Sequence, residues 1–95
     1  MAIIYCFRSL NSNLIYIGCS INSLATRKAK HIYDSKHSKR QKPVHRMILE
    51  HGGFENFQMR ILKEVKDLNM LHLYEKKIIE DYKNNKEYIL MNTYT

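Results

Sequence analysis

The stretch AIIYCFRSLNSNLIYIGC at residues 2–19 determines how the rest of the chain can be arranged. Its two ends, residues 2–8 and 14–19, are rich in the β-branched and aromatic residues that favour strands. Between them, the polar cluster NSN at 11–13 is typical of a turn. The sequence therefore predicts that the chain opens with an antiparallel β-hairpin.

The predicted hairpin brings two tyrosines, Tyr5 and Tyr16, to the same face. With a two-residue turn at 11–12 or 12–13, paired residue numbers sum to 23 or 25, and either sum points the two side chains to the same face. A tyrosine in a strand is most often part of the core. Gly18 lies on the same face, however, and a glycine inside a strand often leaves room for a ligand or another backbone. This combination makes the face a candidate site.

Helices and one further strand follow the hairpin. The first helix is expected to turn Leu24, Ala25 and Ile32 inward, and the apolar tail at 88–91 is expected to dock on the body. The resulting order, ββααβα, is typical of an α+β domain built on one small sheet. The predicted elements are a helix from a Ser20 or Asn22 cap to about Tyr33, a basic loop over 34–42, a helix from Pro43 to Glu50 that ends at Gly52-Gly53, a strand from Phe57 to Val65, and a helix from Met70 to Tyr82 capped by Asn69.

The length and composition exclude several classes of protein. The 95 residues suffice for one small domain, and we expect residues 1–95 to form it. Two cysteines argue against a disulfide-stapled secreted protein, and 44% hydrophobic residues argue against disorder. No apolar run approaches the ~20 residues of a membrane span, and the first residues lack the basic region of a signal peptide. We therefore expect an intracellular protein, cytoplasmic or nuclear, that is not secreted and has no membrane partner.

The net charge of +7 is confined to residues 27–46. This segment holds eight basic residues and one acid, whereas the remainder holds eight of each. Scattered lysines are usually a solvated surface, but such a local concentration favours a phosphate-rich partner. The charge alone leaves DNA, RNA and an acidic protein open. The residues expected to contact a nucleic acid are Gly18, Lys28, Lys30, Lys36, Lys39, Arg40, Lys42 and Arg46.

The last predicted helix carries one carboxylate inside its apolar face. Glu75 lies four residues after Leu71 and three before Ile78, within the arc that also contains Tyr74. A carboxylate that faces inward must be paired, protonated or bound to a cation, because an unpaired buried charge is costly. An ion pair with an arginine or lysine and a metal site are equally consistent with this position. A single carboxylate suffices for Mg²⁺, which takes its other ligands from water and phosphate.

Arg27 and His31 are spaced i, i+4 on the first helix, where a solvated flank would be the ordinary interpretation. Together with the tyrosines and Glu75 they suit phosphodiester hydrolysis. Arg27 would supply a fixed positive charge, Glu75 would hold the metal, and His31 would accept a proton from a tyrosine acting as base.

Taken in order, these residues resemble the GIY-YIG nucleases. The first motif is present as Ile3-Ile4-Tyr5, with Ile3 in place of the opening glycine, and the second is intact as Tyr16-Ile17-Gly18. The resemblance spans Ile3 to Asn92, nearly the whole chain. The residues that match the pattern of the family are Tyr5, Tyr16, Gly18, Arg27, His31, Glu75 and Asn92.

The resemblance implies a three-stranded antiparallel sheet flanked by three helices, and a DNA endonuclease that uses one metal ion, Mg²⁺ or Mn²⁺. The roles it implies are a general base for Tyr5, assistance by His31, a hydrogen bond to water or phosphate for Tyr16, charge stabilisation for Arg27, the metal ligand for Glu75 and support of the site for Asn92.

The resemblance further implies duplex or branched DNA as the substrate, with a role in DNA repair or recombination. Because the chain has no room for a recognition domain, we expect either a recognition partner or a homodimer, and backbone contacts that do not discriminate sequence. Two alternatives stay open: a non-catalytic nucleic-acid-binding module or subunit of a larger nuclease or repair complex, and a protein whose basic face binds an acidic partner.

The remaining histidines and the cysteines carry no metal motif in the sequence. His37, His45 and His51 have no zinc-site spacing, and neither does His72. Cys6 and Cys19 are expected to be free thiols of a reducing compartment.

Overall fold

A four-stranded mixed sheet organises the chain in a computed structural model, which describes residues 1–37 and 39–94. The strands are β1 (Ala2–Ser9), β2 (Leu14–Ser20), β3 (Phe57–Val65) and β4 (Ile89–Leu90), in the spatial order β3-β1-β2-β4. The first three are antiparallel neighbours, whereas β4 runs parallel to β2. The prediction of three antiparallel strands was therefore wrong in one respect: the apolar tail adds a short fourth strand.

The hairpin has one of the two predicted registers. Paired residue numbers sum to 23, so that Tyr5 faces Gly18 and Phe7 faces Tyr16 across the strands. Tyr5 and Tyr16 therefore lie on one face as diagonal neighbours. The connection is four residues long, because β1 ends at Ser9 and β2 begins at Leu14.

Three α-helices are found within the described part of the chain: α1 (Leu24–Ser35), α2 (Pro43–Glu50) and α3 (Leu71–Lys83). Their starts differ in part from the prediction. Ser23 caps α1 by accepting the Thr26 N–H, so neither Ser20 nor Asn22 is the cap. A 3₁₀ turn precedes α3, and Asp67 rather than Asn69 supplies the accepting side chain there. Within the described residues, no helix combines the length and apolar character needed to cross a membrane.

The sheet is the middle layer of the domain. Since side chains alternate along a strand, β1 contributes to two separate apolar clusters. One lies beneath α3, and the other lies against α2. The first cluster contains Ala2, Ile4, Cys6, Ile15, Ile17, Val65, Leu71 and Leu90, and the second contains Ile3, Tyr5, Phe7, Leu14, Val44, Ile48, Phe57 and Met91.

The buried side of α1 is polar, contrary to the expectation of an apolar stripe. Leu24 and Ile32 are only half-buried and Ala25 is exposed, whereas His31 is buried together with two other polar residues of the helix. The reason is that α1 faces aromatic side chains of the sheet, and the His31 ring lies 5.1 Å from the ring of Phe7. An imidazole therefore takes the place of an aliphatic side chain in this layer.

Asn92 continues the pairing of β2 where β4 ends. Strand β4 pairs with Leu14 and Ile15. Two residues further along, the Asn92 Oδ1 accepts the Ile17 N–H at 2.9 Å, and its Nδ2 donates to the Ile17 carbonyl at 2.6 Å. A side-chain amide thereby takes the place of a neighbouring strand at the segment between Tyr16 and Gly18.

Replacement of Asn92 tests this pairing. In Asn92→Asp a carboxylate faces the Ile17 carbonyl in place of an N–H donor, so we expect the free energy of unfolding in urea to fall by about 1–3 kcal/mol. Asn85→Asp is the matched control, because Asn85 is exposed and its Oδ1 accepts the Glu87 N–H, a contact that aspartate retains. Equal stabilities of the two variants would contradict the role of Asn92.

Candidate active site

The Tyr5 hydroxyl lies at the centre of the candidate site. Its ring is fully buried, and its oxygen is 2.6 Å from His31 Nε2. Arg27 Nε donates a hydrogen bond to the same oxygen at 3.3 Å. The structure thus brings three of the sequence-predicted residues, from β1 and from two successive turns of α1, into direct contact.

Gly18 makes room for this phenol. A Cβ at position 18 would lie 2.5 Å from Tyr5 Oη and 2.6 Å from Tyr5 Cζ, which is closer than carbon atoms approach without displacement. Gly18 is itself buried. The sequence predicted that a nucleic acid approaches here, but the space above the glycine is filled by Tyr5. Its role in this structure is therefore to seat the tyrosine.

A chain of hydrogen bonds continues from Tyr5 into the protein. His31 Nδ1 lies 2.8 Å from His45 Nε2, and the backbone N–H of Lys42 donates to His45 Nδ1 at 3.1 Å. Because a backbone N–H can only donate, Nδ1 of a neutral His45 accepts and its proton resides on Nε2. By the same argument His31 accepts at Nδ1 and donates from Nε2 to Tyr5. We call this chain, from the Lys42 amide to the Tyr5 oxygen, the histidine relay.

Both imidazoles of the relay are held neutral. Burial, followed by the charge of Arg27, lowers the pKa of His31 to about 3. Burial likewise lowers the pKa of His45. An unperturbed imidazole has a pKa of ~6.5, so each ring carries one proton near neutral pH, as the direction of the relay requires.

His45, which is fully buried, was not predicted as a site residue, because its position in the sequence fits no metal-site spacing. A local signal was present: Pro43 at the first position of α2 makes Lys42 the N-cap and His45 the third helical residue. A polar side chain at that position reaches back to the N–H of the cap. What sequence could not supply is the contact with His31, since that depends on how α1 and α2 pack.

Tyr16 borders the same cluster. It is half-buried, and its ring centroid lies 6.3 Å from that of His31 and 6.4 Å from that of Phe7. Burial raises the pKa of Tyr16, and the nearby Tyr5 and Glu75 add to the effect. Tyr16 is therefore a neutral phenol at physiological pH and suits a hydrogen-bonding role.

Glu75 lies on α3, on the other side of the sheet from Tyr5. Within residues 1–37 and 39–92, no lysine or arginine lies within 4.0 Å of its carboxylate. Its neighbour there is His72, whose Nδ1 is 3.7 Å from Glu75 Oε1. The predicted alternative of an ion pair with arginine or lysine is therefore wrong for this part of the chain. The negative charge of Glu75 adds to the burial that raises the pKa of both Tyr5 and Tyr16. A half-buried carboxylate in this setting fits a divalent cation.

A basic groove extends from Arg27 along the segment that carries the excess charge. It is open, has a volume of about 430 Å³, and is lined by Arg27, Lys30, Asp34, Lys39, Arg40, Gln41 and Lys42. Beside it, His37 stacks on Tyr33 with ring centroids 4.0 Å apart, and the Arg40 guanidinium lies 5.8 Å from the centre of the Tyr33 ring. Lys36 lines the surface around Tyr33 and His37. Lys28 and Arg46 are exposed, and they line neither this surface nor the basic groove.

Three comparisons relate the chain to known proteins. The family model described as the GIY-YIG catalytic domain matches residues 1–88. The putative MSV199 domain-containing protein 146R of Invertebrate iridescent virus 6 is 33% identical in an alignment of 81 positions that covers 83% of this chain and 32% of that protein. The chain thus spans about a third of the length of this curated relative. The solved catalytic domain of the homing endonuclease I-TevI is 19% identical with a TM-score of 0.70, covering 95% of this chain and 97% of that one, so the two share a fold.

Gly18→Ala tests the seating of Tyr5. The added methyl group displaces the phenol, so we expect unfolding in urea to become easier by about 1–3 kcal/mol. In a Tyr5→Ala background the same substitution no longer meets the phenol and meets only Tyr16 Cε2, at 3.1 Å. It should therefore cost less, which a double-mutant cycle would show as a coupling between positions 5 and 18. Equal costs in both backgrounds would contradict the contact.

Nitrogen-15 spectra of the histidine side chains test the direction of the relay. We expect the proton of both His31 and His45 to reside on Nε2, and His31 to stay neutral between about pH 8 and pH 5, because burial lowers its pKa. His37→Ala, which removes an exposed ring outside the relay, should leave these signals unchanged. A proton on Nδ1 of His31 would reverse the relay and refute its assignment.

Proposed function

The chain belongs to the GIY-YIG catalytic-domain family, and from this premise we propose that it is a metal-dependent endonuclease that hydrolyses phosphodiester bonds of DNA. One observation carries the proposal: the Tyr5 oxygen contacts both Arg27 and His31. This is the arrangement needed to stabilise a phenolate that removes a proton from water, beside a guanidinium that can meet phosphate.

Glu75 would hold Mg²⁺ or Mn²⁺ in this reaction. Its half-buried carboxylate and the lack of a lysine or arginine within 4.0 Å in the described chain support the assignment. The ion, when bound, supplies Lewis-acid stabilisation of charge on the phosphate oxygens. With one protein carboxylate the remaining ligands would be water and phosphate oxygens.

Tyr5 is the proposed general base. The sequence predicted that His31 accepts a proton from it, but the direction of the relay makes His31 a hydrogen-bond donor to Tyr5. Because His31 donates its Nε2–H to the Tyr5 oxygen, it stabilises the phenolate and does not accept the phenol proton. Arg27 donates to the same oxygen and favours the ionised form, although burial outweighs it and raises the pKa of Tyr5 overall. The hydroxyl proton therefore passes neither to His31 nor to Arg27, and it would go to solvent once the site opens.

Access to Tyr5 is closed in this structure, since its side chain has no exposed surface. Arg27 contacts the Tyr5 oxygen and also lines the basic groove. A phosphate in the groove would attract the guanidinium, and the Nε–H contact of 3.3 Å is the longer of the two to Tyr5. We propose that substrate binding draws Arg27 away from the phenol and admits the attacking water, while the His31 N–H remains to stabilise the phenolate.

The basic groove would bind the DNA backbone, duplex or branched, through Lys39, Arg40 and Lys42 beside Arg27. Such contacts give affinity without sequence discrimination. Recognition would then come from a partner chain, from a homodimer, or from further sequence such as the longer viral relative possesses. We propose a role in DNA repair or recombination, in the cytoplasm or nucleus.

One observation favours a second candidate function, a nucleic-acid-binding module without catalysis. The full burial of Tyr5 removes the proposed base from solvent, whereas the basic side chains of the groove stay accessible. Such a module would bind DNA in a salt-sensitive manner and leave it intact.

Cleavage of plasmid and branched DNA with Mg²⁺ or Mn²⁺ distinguishes the two. We expect the purified protein to nick or cut DNA, and Tyr5→Phe, Arg27→Ala and Glu75→Ala each to lower the rate by at least about a hundredfold while keeping the circular dichroism of the fold.

Tyr88→Phe, Arg60→Ala and Glu64→Ala are matched controls outside the site, and their rates should equal that of the wild type. Full activity of Glu75→Ala would reject the metal assignment. Binding without cleavage under either ion would establish the second candidate.

A further inference from the structure

Cys19, His72 and Glu75 form a mixed cluster that the catalytic proposal does not use as a whole. Their ligand atoms, the Cys19 Sγ, a His72 ring nitrogen and a Glu75 carboxylate oxygen, all lie within 4.8 Å of one another. Cys19 comes from the end of β2, and the other two lie one helical turn apart at the start of α3. The residues are distant in sequence and are brought together by the packing of α3 on the sheet.

The spacing of the cluster suits a tetrahedral ion. Bonds of roughly 2.0–2.3 Å at tetrahedral angles put neighbouring ligand atoms about 3.3–3.5 Å apart. The His72 Nδ1 lies 3.7 Å from the Glu75 Oε1. His72 is exposed, so its ring can move the remaining distance without disturbing the core. Bringing the three atoms onto one ion therefore requires side-chain adjustment only.

The donor set selects a different metal from the one expected at Glu75 alone. Magnesium prefers oxygen ligands throughout, whereas a thiolate and an imidazole beside a carboxylate favour zinc. The Cys19 Sγ lies within 4.8 Å of both the His72 ring nitrogen and the Glu75 carboxylate oxygen, so the three donor types are already grouped. On zinc binding the S–H bond breaks, an S–Zn bond forms, and the proton is released to solvent.

The other neighbouring histidines do not offer such a site. Both nitrogens of His45, and both of His31, are engaged in the relay. A metal ion there would have to break the hydrogen bonds that hold Tyr5. In the Cys19 cluster, by contrast, the contact to be replaced is a long one, 3.7 Å between the exposed His72 imidazole and the Glu75 carboxylate.

We propose that Cys19, His72 and Glu75 bind Zn²⁺, with a fourth position left for water or a phosphate oxygen. Because Glu75 is a ligand in both cases, zinc at this site takes the carboxylate that Mg²⁺ needs and inhibits cleavage. The binding site stands on the cluster alone, whereas the inhibition rests on the proposed function.

Cobalt substitution and zinc titration test the site without DNA. With Co²⁺ in place of zinc, the wild-type chain should show the near-ultraviolet charge-transfer absorption of a cobalt thiolate, and Cys19→Ser should not. Competition with a chromophoric chelator in excess Mg²⁺ should give one Zn²⁺ per chain, with affinity reduced at least about tenfold in Cys19→Ser and in His72→Ala.

Cys6→Ala and His51→Ala are the matched controls, since they remove the other cysteine and an exposed histidine outside the cluster; both should keep the absorption band and the affinity. Absence of the band in the wild type, or equal zinc affinity in Cys19→Ser, overturns the site.

Zinc should also inhibit Mg²⁺-dependent cleavage by the wild type at concentrations that spare Cys19→Ser. A chain that cleaves DNA but gives no cobalt-thiolate band refutes the zinc site and leaves the proposed function intact. A chain that gives the band but never cleaves DNA confirms the metal site and refutes the proposed function.

Discussion

A backbone N–H can donate a hydrogen bond but cannot accept one, and the N–H of Lys42 imposes this direction on the whole candidate site. Its bond to His45 Nδ1 determines which nitrogen of each imidazole carries the proton, and thereby which atom faces the Tyr5 oxygen. Since burial keeps both rings neutral, the order does not depend on an ionised group. The position of one peptide at the start of α2 thus decides that Tyr5 receives a proton donor from inside the protein.

Because side chains alternate along β2, this one strand contributes residues to both the Tyr5 cluster and the Glu75 cluster. Tyr16 and Gly18 face the layer of α1 and α2, whereas Cys19 faces α3, with its Sγ within 4.8 Å of a Glu75 carboxylate oxygen. The proposed base therefore lies over Gly18 on one face of the sheet, and the proposed metal ligand lies beside the next residue, Cys19, on the other. Asn92 holds that strand at Ile17, between the two residues whose positions matter most to Tyr5.

The sequence allowed prediction wherever a local pattern determines structure. The hairpin, the helix that begins at Pro43 and the strand from Phe57 to Val65 follow from composition, turn residues and proline alone, and the motif spacing pointed to the residues around Tyr5. What it did not reveal depends on contacts between distant segments. The two-residue strand β4 exists only because β2 offers an edge, His31 is buried only because α1 packs on aromatic rings, and the grouping of Cys19 with His72 requires α3 in place.

Burial of Tyr5 opposes the ionisation that a general base requires, and Arg27 affects both. A phenol enclosed by protein holds its proton more firmly, and the raised pKa of Tyr5 reflects this in spite of two N–H donors. Exposure to solvent would make ionisation easier, but water would then compete with His31 for the hydrogen bond to the Tyr5 oxygen. In the reaction proposed above, a guanidinium that contacts the phenol in the free protein and phosphate in the complex would resolve the conflict, because the site would then open when the negative charge of a substrate arrives. Arg27 is positioned for both contacts, since it donates to Tyr5 and borders the groove.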